Sequence, residues 1–129
     1  MINIQRIHHI AIIASDYEYS KHFYTEILGL EIILETYRAE RDSYKLDLRV
    51  NGGGQIELFS FPESPPRPSY PEAAGLRHLA FEVDDIEKEK SLLENEQVAV
   101  EEIRTDEITG KRFTFLADPD GLPIELYER

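Results

Sequence analysis

Two stretches of the chain carry the same donor groups at almost the same spacing. Residues 9–16 read His-Ile-Ala-Ile-Ile-Ala-Ser-Asp, and residues 78–85 read His-Leu-Ala-Phe-Glu-Val-Asp-Asp. Each is followed by one Ile-Glu-Leu tripeptide, centred on Glu57 after His9 and on Glu125 after His78. The two His-to-Glu separations differ by a single residue. Imidazole nitrogens and carboxylate oxygens are donors that a borderline divalent cation accepts. If the two copies pair about a pseudo-two-fold axis, His9, Glu57, His78 and Glu125 can converge on one ion such as Zn, Ni, Mn, Co or Fe(II). The chain has no Cys. That argues against a purely structural zinc site and removes thiolate nucleophiles and disulfides from consideration.

Such a set works only if strands aim it. Residues 7–14 are almost wholly apolar and β-branched, the pattern of a strand buried on both faces. Side chains alternate along a strand, so His9 shares a face with Ala11 and Ile13, and His8 shares the other with Ile10 and Ile12. The repeat matches His78 to His9 and Arg77 to His8, which predicts His9 inward and His8 outward. Ile56 and Leu58 flank Glu57, as Ile124 and Leu126 flank Glu125. With those neighbours against helices, each Glu is left on the concave side, where a carboxylate is costly unless paired, hydrogen-bonded or metal-bound. Asp47, between Leu46 and Leu48, is read as an outward solubility device on an edge strand. Facing the cleft, it would be a second acid or base.

The remaining elements follow from local signals. Asp16 is the expected N-cap of a helix with the stripe Tyr17, Ser20, Phe23, Tyr24, Ile27 and Leu28, ended by Gly29. Strands are predicted at 30–38, 45–50 and 55–61, the last two joined by the Asn-Gly-Gly-Gly turn at 51–54. In the second half, a strand at 76–83 precedes a helix capped by Asp84 or Asp85 and running to about Asn95. Strands follow at 98–104, 112–116 and 123–128, with a tight turn at Asp118-Pro119-Asp120-Gly121. Five of the seven prolines fall within 62–75, where they exclude a helix or a central strand. The expected fold class is α+β. One domain spans 1–129, built from a βαβββ module at 5–61, a Pro-rich linker at 62–75 and a βαβββ module at 76–129. The sheets are expected edge to edge around a metal-binding cleft, with helices on the outer faces.

The net charge of −12, from 26 acidic and 14 basic residues, disfavours nucleic acid and anionic membranes as partners. It leaves a small-molecule substrate, and local Arg residues can still attract an anionic one. No apolar run reaches the roughly 20 residues needed to cross a bilayer. The first residues lack a basic segment followed by an apolar one, so a cytoplasmic location is expected.

At these residues the chain resembles the vicinal oxygen chelate superfamily, and within it the glyoxalase I-like branch. The resemblance covers essentially the whole chain. It rests on His-His-Ile-Ala-Ile at 8–12, Phe-Tyr-Thr-Glu-Ile-Leu-Gly-Leu at 23–30, Gly-Leu-Arg-His-Leu-Ala-Phe at 75–81 and Asp-Pro-Asp-Gly-Leu-Pro-Ile-Glu-Leu at 118–126. The Pro-rich segment and Lys-Arg-Phe-Thr-Phe at 111–115 resemble a bacterial subgroup sometimes called the YaeR type. The resemblance implies the glyoxalase/bleomycin resistance/dihydroxybiphenyl dioxygenase fold and a lactoylglutathione lyase-like metalloenzyme. Its metal ligands would be His9, Glu57, His78 and Glu125, holding one divalent ion per site, Zn or Ni ahead of Mn, Co or Fe. The implied reaction moves a proton from C1 to C2 of a hemithioacetal of a 2-oxoaldehyde and a thiol co-substrate, through an ene-diolate. Glu125 is the first choice of base and Glu57 the second.

Fosfomycin-resistance thiol transferases and extradiol dioxygenases of this superfamily use two His and one Glu, and methylmalonyl-CoA epimerase usually has Gln at the position of Glu57. Glu57 therefore favours an isomerase of the glyoxalase kind. The alternatives are an epimerase or thiol transferase on the same metal, or a non-catalytic small-molecule-binding protein. Arg38, Arg41, Arg49 and Arg112 match none of the family's glutathione contacts and are read as solvated surface or salt-bridge residues. The resemblance also implies a homodimer, with one chain or two supplying the four ligands.

Overall fold

The computed structural model describes residues 1–129 and divides into two units, Met1–Pro65 and Pro66–Arg129. The first contains β1 (His9–Ala14), α1 (Tyr17–His22), a π-helical turn (Phe23–Ile27), β2 (Glu31–Arg38), a 3-10 turn (Ala39–Arg41), β3 (Ser43–Arg49) and β4 (Gln55–Ser60). Its strands lie in the order β1-β4-β3-β2, with β1 parallel to β4 and the other pairs antiparallel. The parallel pairing makes the first and last strands of the unit neighbours. It brings the His-bearing and Glu-bearing segments together across more than forty residues of sequence.

Period-2 alternation divides the two faces of this sheet. Ile12, Leu46, Leu48, Ile56 and Leu58 are buried with Tyr17, Phe23 and Tyr24 of the helical segment, and α1 contacts β4. The prediction that β1 is buried on both faces is corrected: Ala11 is exposed and Ile13 is 52% exposed. A helix covers one side of the sheet only, so an apolar strand need not be enclosed. Strand β2 is exposed along most of its length, including Ile32, Ile33 and Leu34, and its register shifts between Ile32 and Leu34.

Asp16 caps α1 by accepting from the Tyr19 N–H at 3.1 Å. The helix then widens instead of continuing as α. The Thr25 hydroxyl donates to the Lys21 carbonyl at 2.7 Å, and the Leu28 N–H reaches back five residues to Phe23 at 2.9 Å. A hydroxyl that bonds the carbonyl four residues back competes with the helical ladder, which accounts for the looser turn. Gly29 ends the segment at φ +77°, a conformation that costs glycine little.

The second unit contains β5 (Leu79–Val83), α2 (Ile86–Asn95), β6 (Arg104–Thr105), β7 (Arg112–Ala117) and β8 (Pro123–Glu128), in the order β5-β8-β7-β6. Its parallel pair, β5 with β8, repeats that of β1 with β4. Leu79, Ile86, Leu93, Leu116, Ile124 and Leu126 form its core, and α2 packs on β7 and β8. Asp85 caps α2 through the Lys88 N–H at 3.1 Å.

Two strands are shorter than their hydrophobic patterns predict. The strand expected at 98–104 is reduced to Arg104–Thr105. The Thr114 hydroxyl takes the Glu101 carbonyl at 2.7 Å and the Glu101 N–H bonds Phe115 at 2.9 Å, so this edge is held by isolated bonds instead of a ladder. The strand expected from residue 76 begins at Leu79 because Arg67 Nη2 binds the carbonyls of Leu76 and Arg77 at 2.6 and 3.2 Å.

No helix or strand forms in 62–75. Part of that segment is anchored to the second unit, since Ser69 also donates to the Gly121 carbonyl at 2.7 Å. The fold is α+β, two βαβββ units. No helix is long and apolar enough to cross a membrane.

Candidate metal-binding pairs

Each unit brings one His and one Glu together at the same register. Ala11 stands opposite Glu57, and Ala80 stands opposite Glu125. The His lies two residues before the Ala in both: His9 opens β1 and shares the face of Ala11, and His78, one residue before β5, reaches Glu125 directly. In the first unit His9 Nδ1 is 3.6 Å from Glu57 Oε2, and in the second His78 Nε2 is 2.9 Å from Glu125 Oε2. Both Glu side chains are only 12% exposed, although they lie on the face opposite Ile56, Leu58, Ile124 and Leu126, which turn into the core.

The surroundings of the two pairs differ. In the first unit Asp47 stands directly across from Glu57. Lys45 Nζ is 3.1 Å from Asp47 Oδ1 and 3.8 Å from Glu57 Oε1. Two facing carboxylates repel, and the ammonium offsets that repulsion. Asp47 is thus not an outward residue of an edge strand: β3 is central and Asp47 shares the face of Glu57. Leu46-Asp47-Leu48 repeats the alternation of Ile56-Glu57-Leu58, and that was the available signal.

In the second unit the residue across from Glu125 is Phe115, and its ring meets the His78 ring edge-on with centroids 5.2 Å apart. Arg77 Nη1 lies 3.3 Å from His78 Nδ1. A guanidinium can only donate, so neutral His78 accepts at Nδ1 and presents its N–H at Nε2 to Glu125.

His8 is exposed and lies just before β1. Its Nδ1 lies 2.9 Å from His9 Nδ1 with the rings edge-to-face. His8 thus steadies the orientation of the His9 ring.

A cavity of about 430 Å³ opens over the His78–Glu125 pair, bounded by Phe113, Phe115 and the loop from Thr105 to Ile108. Tyr127, two residues past Glu125 on the same face, donates to Asp106 at 3.0 Å and also bonds Thr109. The backbone N–H of Ile108 and then the Tyr127 hydroxyl hold the Asp106 carboxyl below its ordinary range. The loop is therefore tied down while Ile108, 95% exposed, projects from it. Sequence reasoning missed this loop. Only the 2.0-residue period of β8, which puts Tyr127 on the face of Glu125, hinted at it.

A model of the Glyoxalase/Bleomycin resistance protein/Dioxygenase superfamily matches residues 6–126. The chain belongs to this superfamily. It is 60% identical over 126 residues to Uncharacterized protein YwkD of Bacillus subtilis (strain 168), covering 98% of each chain. It is 59% identical over 129 residues to Uncharacterized protein YaeR of Escherichia coli (strain K12), covering all of both. The crystal structure of a glyoxalase family protein from Enterococcus faecalis is 49% identical with a TM-score of 0.88, over 96% of this chain and 98% of that one.

Metal binding is common in this superfamily, and the donor set here fits an ion. Two donor atoms on one Zn-like ion, each about 2.0–2.2 Å from it, stand about 3.0–3.4 Å apart, from octahedral to tetrahedral geometry. The His–Glu contacts of 2.9 and 3.6 Å are of that size. Each pair offers one imidazole and one shielded carboxylate, half of a four-donor shell. No group of three or more His, Asp or Glu side chains is assembled as a metal site in this structure.

Proposed function

We propose that this glyoxalase-superfamily protein is a metal-dependent isomerase acting on the hemithioacetal of a 2-oxoaldehyde and a thiol. The observation that carries the reading is the equivalence of the two His–Glu pairs, including a Glu at position 57. His9, Glu57, His78 and Glu125 would hold one divalent ion, Zn or Ni first, from one chain or from two chains of a homodimer. When bound, the ion supplies Lewis acidity toward the vicinal oxygens of the substrate.

The proton work falls to the chain's own carboxylates. Glu125 removes the proton at C1, the C–H electrons pass into a C1–C2 double bond, and the same carboxyl returns the proton to C2. The C1 hydroxyl proton is lost and the C2 oxygen gains one, so a hydroxy-ketone adduct becomes the thioester of a 2-hydroxy acid with no redox change. Glu125 suits this role because Phe115 stands across from it and its ion-pair partner is the His78 imidazole at 2.9 Å, whereas Glu57 faces Asp47 and lies 3.8 Å from the Lys45 ammonium. A carboxylate free of a fixed ammonium partner swings more readily to a carbon acid. Phe113 and Phe115 line the cavity over the His78–Glu125 pair and give it an apolar wall.

The test is metal analysis of the purified protein joined to a screen of methylglyoxal with several thiols. The expected result is bound transition metal and solvent hydrogen incorporated at C2 of the 2-hydroxy-acid thioester. Absence of any bound transition metal after reconstitution would sink the reading.

A further inference from the structure

We propose that Arg38 and Arg41 form an oxyanion site at the corner between β2 and β3, which takes the carboxylate or phosphate end of a small molecule. Acidic residues outnumber basic ones 26 to 14, so most cations here find a partner. Arg49, Arg77, Arg112 and Arg129 each lie within 4.0 Å of a carboxylate. Neither Arg38 nor Arg41 does, although both sit at one corner. The Arg38 guanidinium lies over the Phe59 and Phe61 rings, at 5.0 and 5.9 Å from their centroids, and that of Arg41 lies 5.4 Å from Phe61. The two cations are thus no more than about 11 Å apart.

The corner is also rigid. Arg38 Nη2 donates to the wholly buried Ser43 hydroxyl at 2.9 Å, while its Nε is buried with no acceptor. Asp42, between the two arginines and Ser43, does not neutralise them: its carboxylate accepts from the Tyr37 hydroxyl at 2.6 Å. Glu40 is exposed and has no cation within ion-pair distance. Two guanidinium groups, that of Arg38 held by Ser43, a donor N–H without an acceptor and aromatic faces beside them suit a planar or tetrahedral oxyanion.

The position suggests what the anion belongs to, a step that rests on the proposed function. Phe61 follows Glu57 by four residues, or roughly 13 Å along an extended strand, with Phe59 between them on the same face. A substrate reacting beside His9 and Glu57 and ending at Arg38 would be elongated, with a terminal carboxylate or phosphate. The site would then set which thiol is accepted.

The experiment is an amide-resonance titration of the full chain with inorganic phosphate and, separately, succinate at constant ionic strength. Saturable shifts are expected at Arg38, Arg41, Ser43 and Phe61, and the anion that saturates first names the preferred group. Arg38→Gln should weaken binding about tenfold. Arg41→Gln, on an exposed turn where folding is not at stake, should do likewise. Arg49→Gln, whose guanidinium pairs with Glu31, should change nothing. Non-saturating shifts, or equal affinity in wild type and both corner variants, would overturn the site. That result needs no turnover, so it stands apart from the fate of the proposed reaction. For the substrate link, Arg38→Gln should raise KM for the methylglyoxal adduct of glutathione and not for that of cysteamine, which has no carboxylate. An equal change for both adducts would refute the link.

Discussion

Glu57 and Glu125 occupy the same register and keep different company, and that difference carries two predictions. Glu125 has His78 and Phe115 around it. Glu125→Gln keeps an oxygen donor but removes the base, so kcat should fall by about 10²–10⁴-fold while metal content, read by elemental analysis, stays above half. Full turnover in a metal-loaded Glu125→Gln protein would assign the base elsewhere. Around Glu57, Lys45 separates two facing carboxylates. Lys45→Met should destabilise the fold by about 0.2–1 kcal/mol in urea denaturation, and adding Asp47→Asn should restore most of the loss. If the double variant is no more stable than Lys45→Met, repulsion between Asp47 and Glu57 is not the cause. Asp47 was misplaced by reading β3 as an edge. Its flanking leucines carried the correct face, but strand order is a property of pairing that those leucines do not report.

The elements that formed as expected are those whose signals are local. The caps Asp16 and Asp85 sit three residues before the N–H groups they accept from, so nothing distant needs to be known. Asp16→Ala and Asp85→Ala should each cost about 1 kcal/mol, measured as a shift in the thermal midpoint. A shift indistinguishable from zero would mean that water replaces the cap.

Tyr17, Lys21 and Glu35 tie the first helix to β2. Tyr17 donates to Glu35 at 2.5 Å, and Lys21 lies 2.9 Å from the same carboxylate. Lys21 and then Tyr17 hold the Glu35 carboxyl below its ordinary value of 4.5, while burial and Glu35 push the Tyr17 hydroxyl far upward. A depressed carboxyl stabilises the fold above the unfolded-state value and loses that stability as pH falls through the folded one. Stability should therefore decline below pH 4.5, and Glu35→Gln should flatten that decline. An unchanged acid slope in Glu35→Gln would remove Glu35 from the account. Two of the elements that differ, the π-helical turn after α1 and the shortened β6, both turn on a Thr hydroxyl choosing a carbonyl, a choice that hydrophobic periodicity cannot register.

At the scale of the whole molecule, we predict a homodimer in light scattering after gel filtration, and a monomer at working concentration would refute it. Ile32, Ile33 and Leu34 are all exposed along edge strand β2 of the first unit, and exposed apolar residues on a sheet edge are what an association surface presents. The sequence by itself determined the inventory: a duplicated His and Glu, the alternation that turns each Glu away from its apolar neighbours, the caps, and a βαβββ order in each half. These depend on covalent order and on periods of two and 3.6 residues. Only the tertiary structure decided what stands across from each donor: Asp47 and Lys45 beside Glu57, Phe115 beside Glu125, His8 against His9, and two arginines left without carboxylates around Phe61. Such neighbours come from strand register and from bonds between residues far apart in the chain. Local patterning favours each strand without choosing its partner.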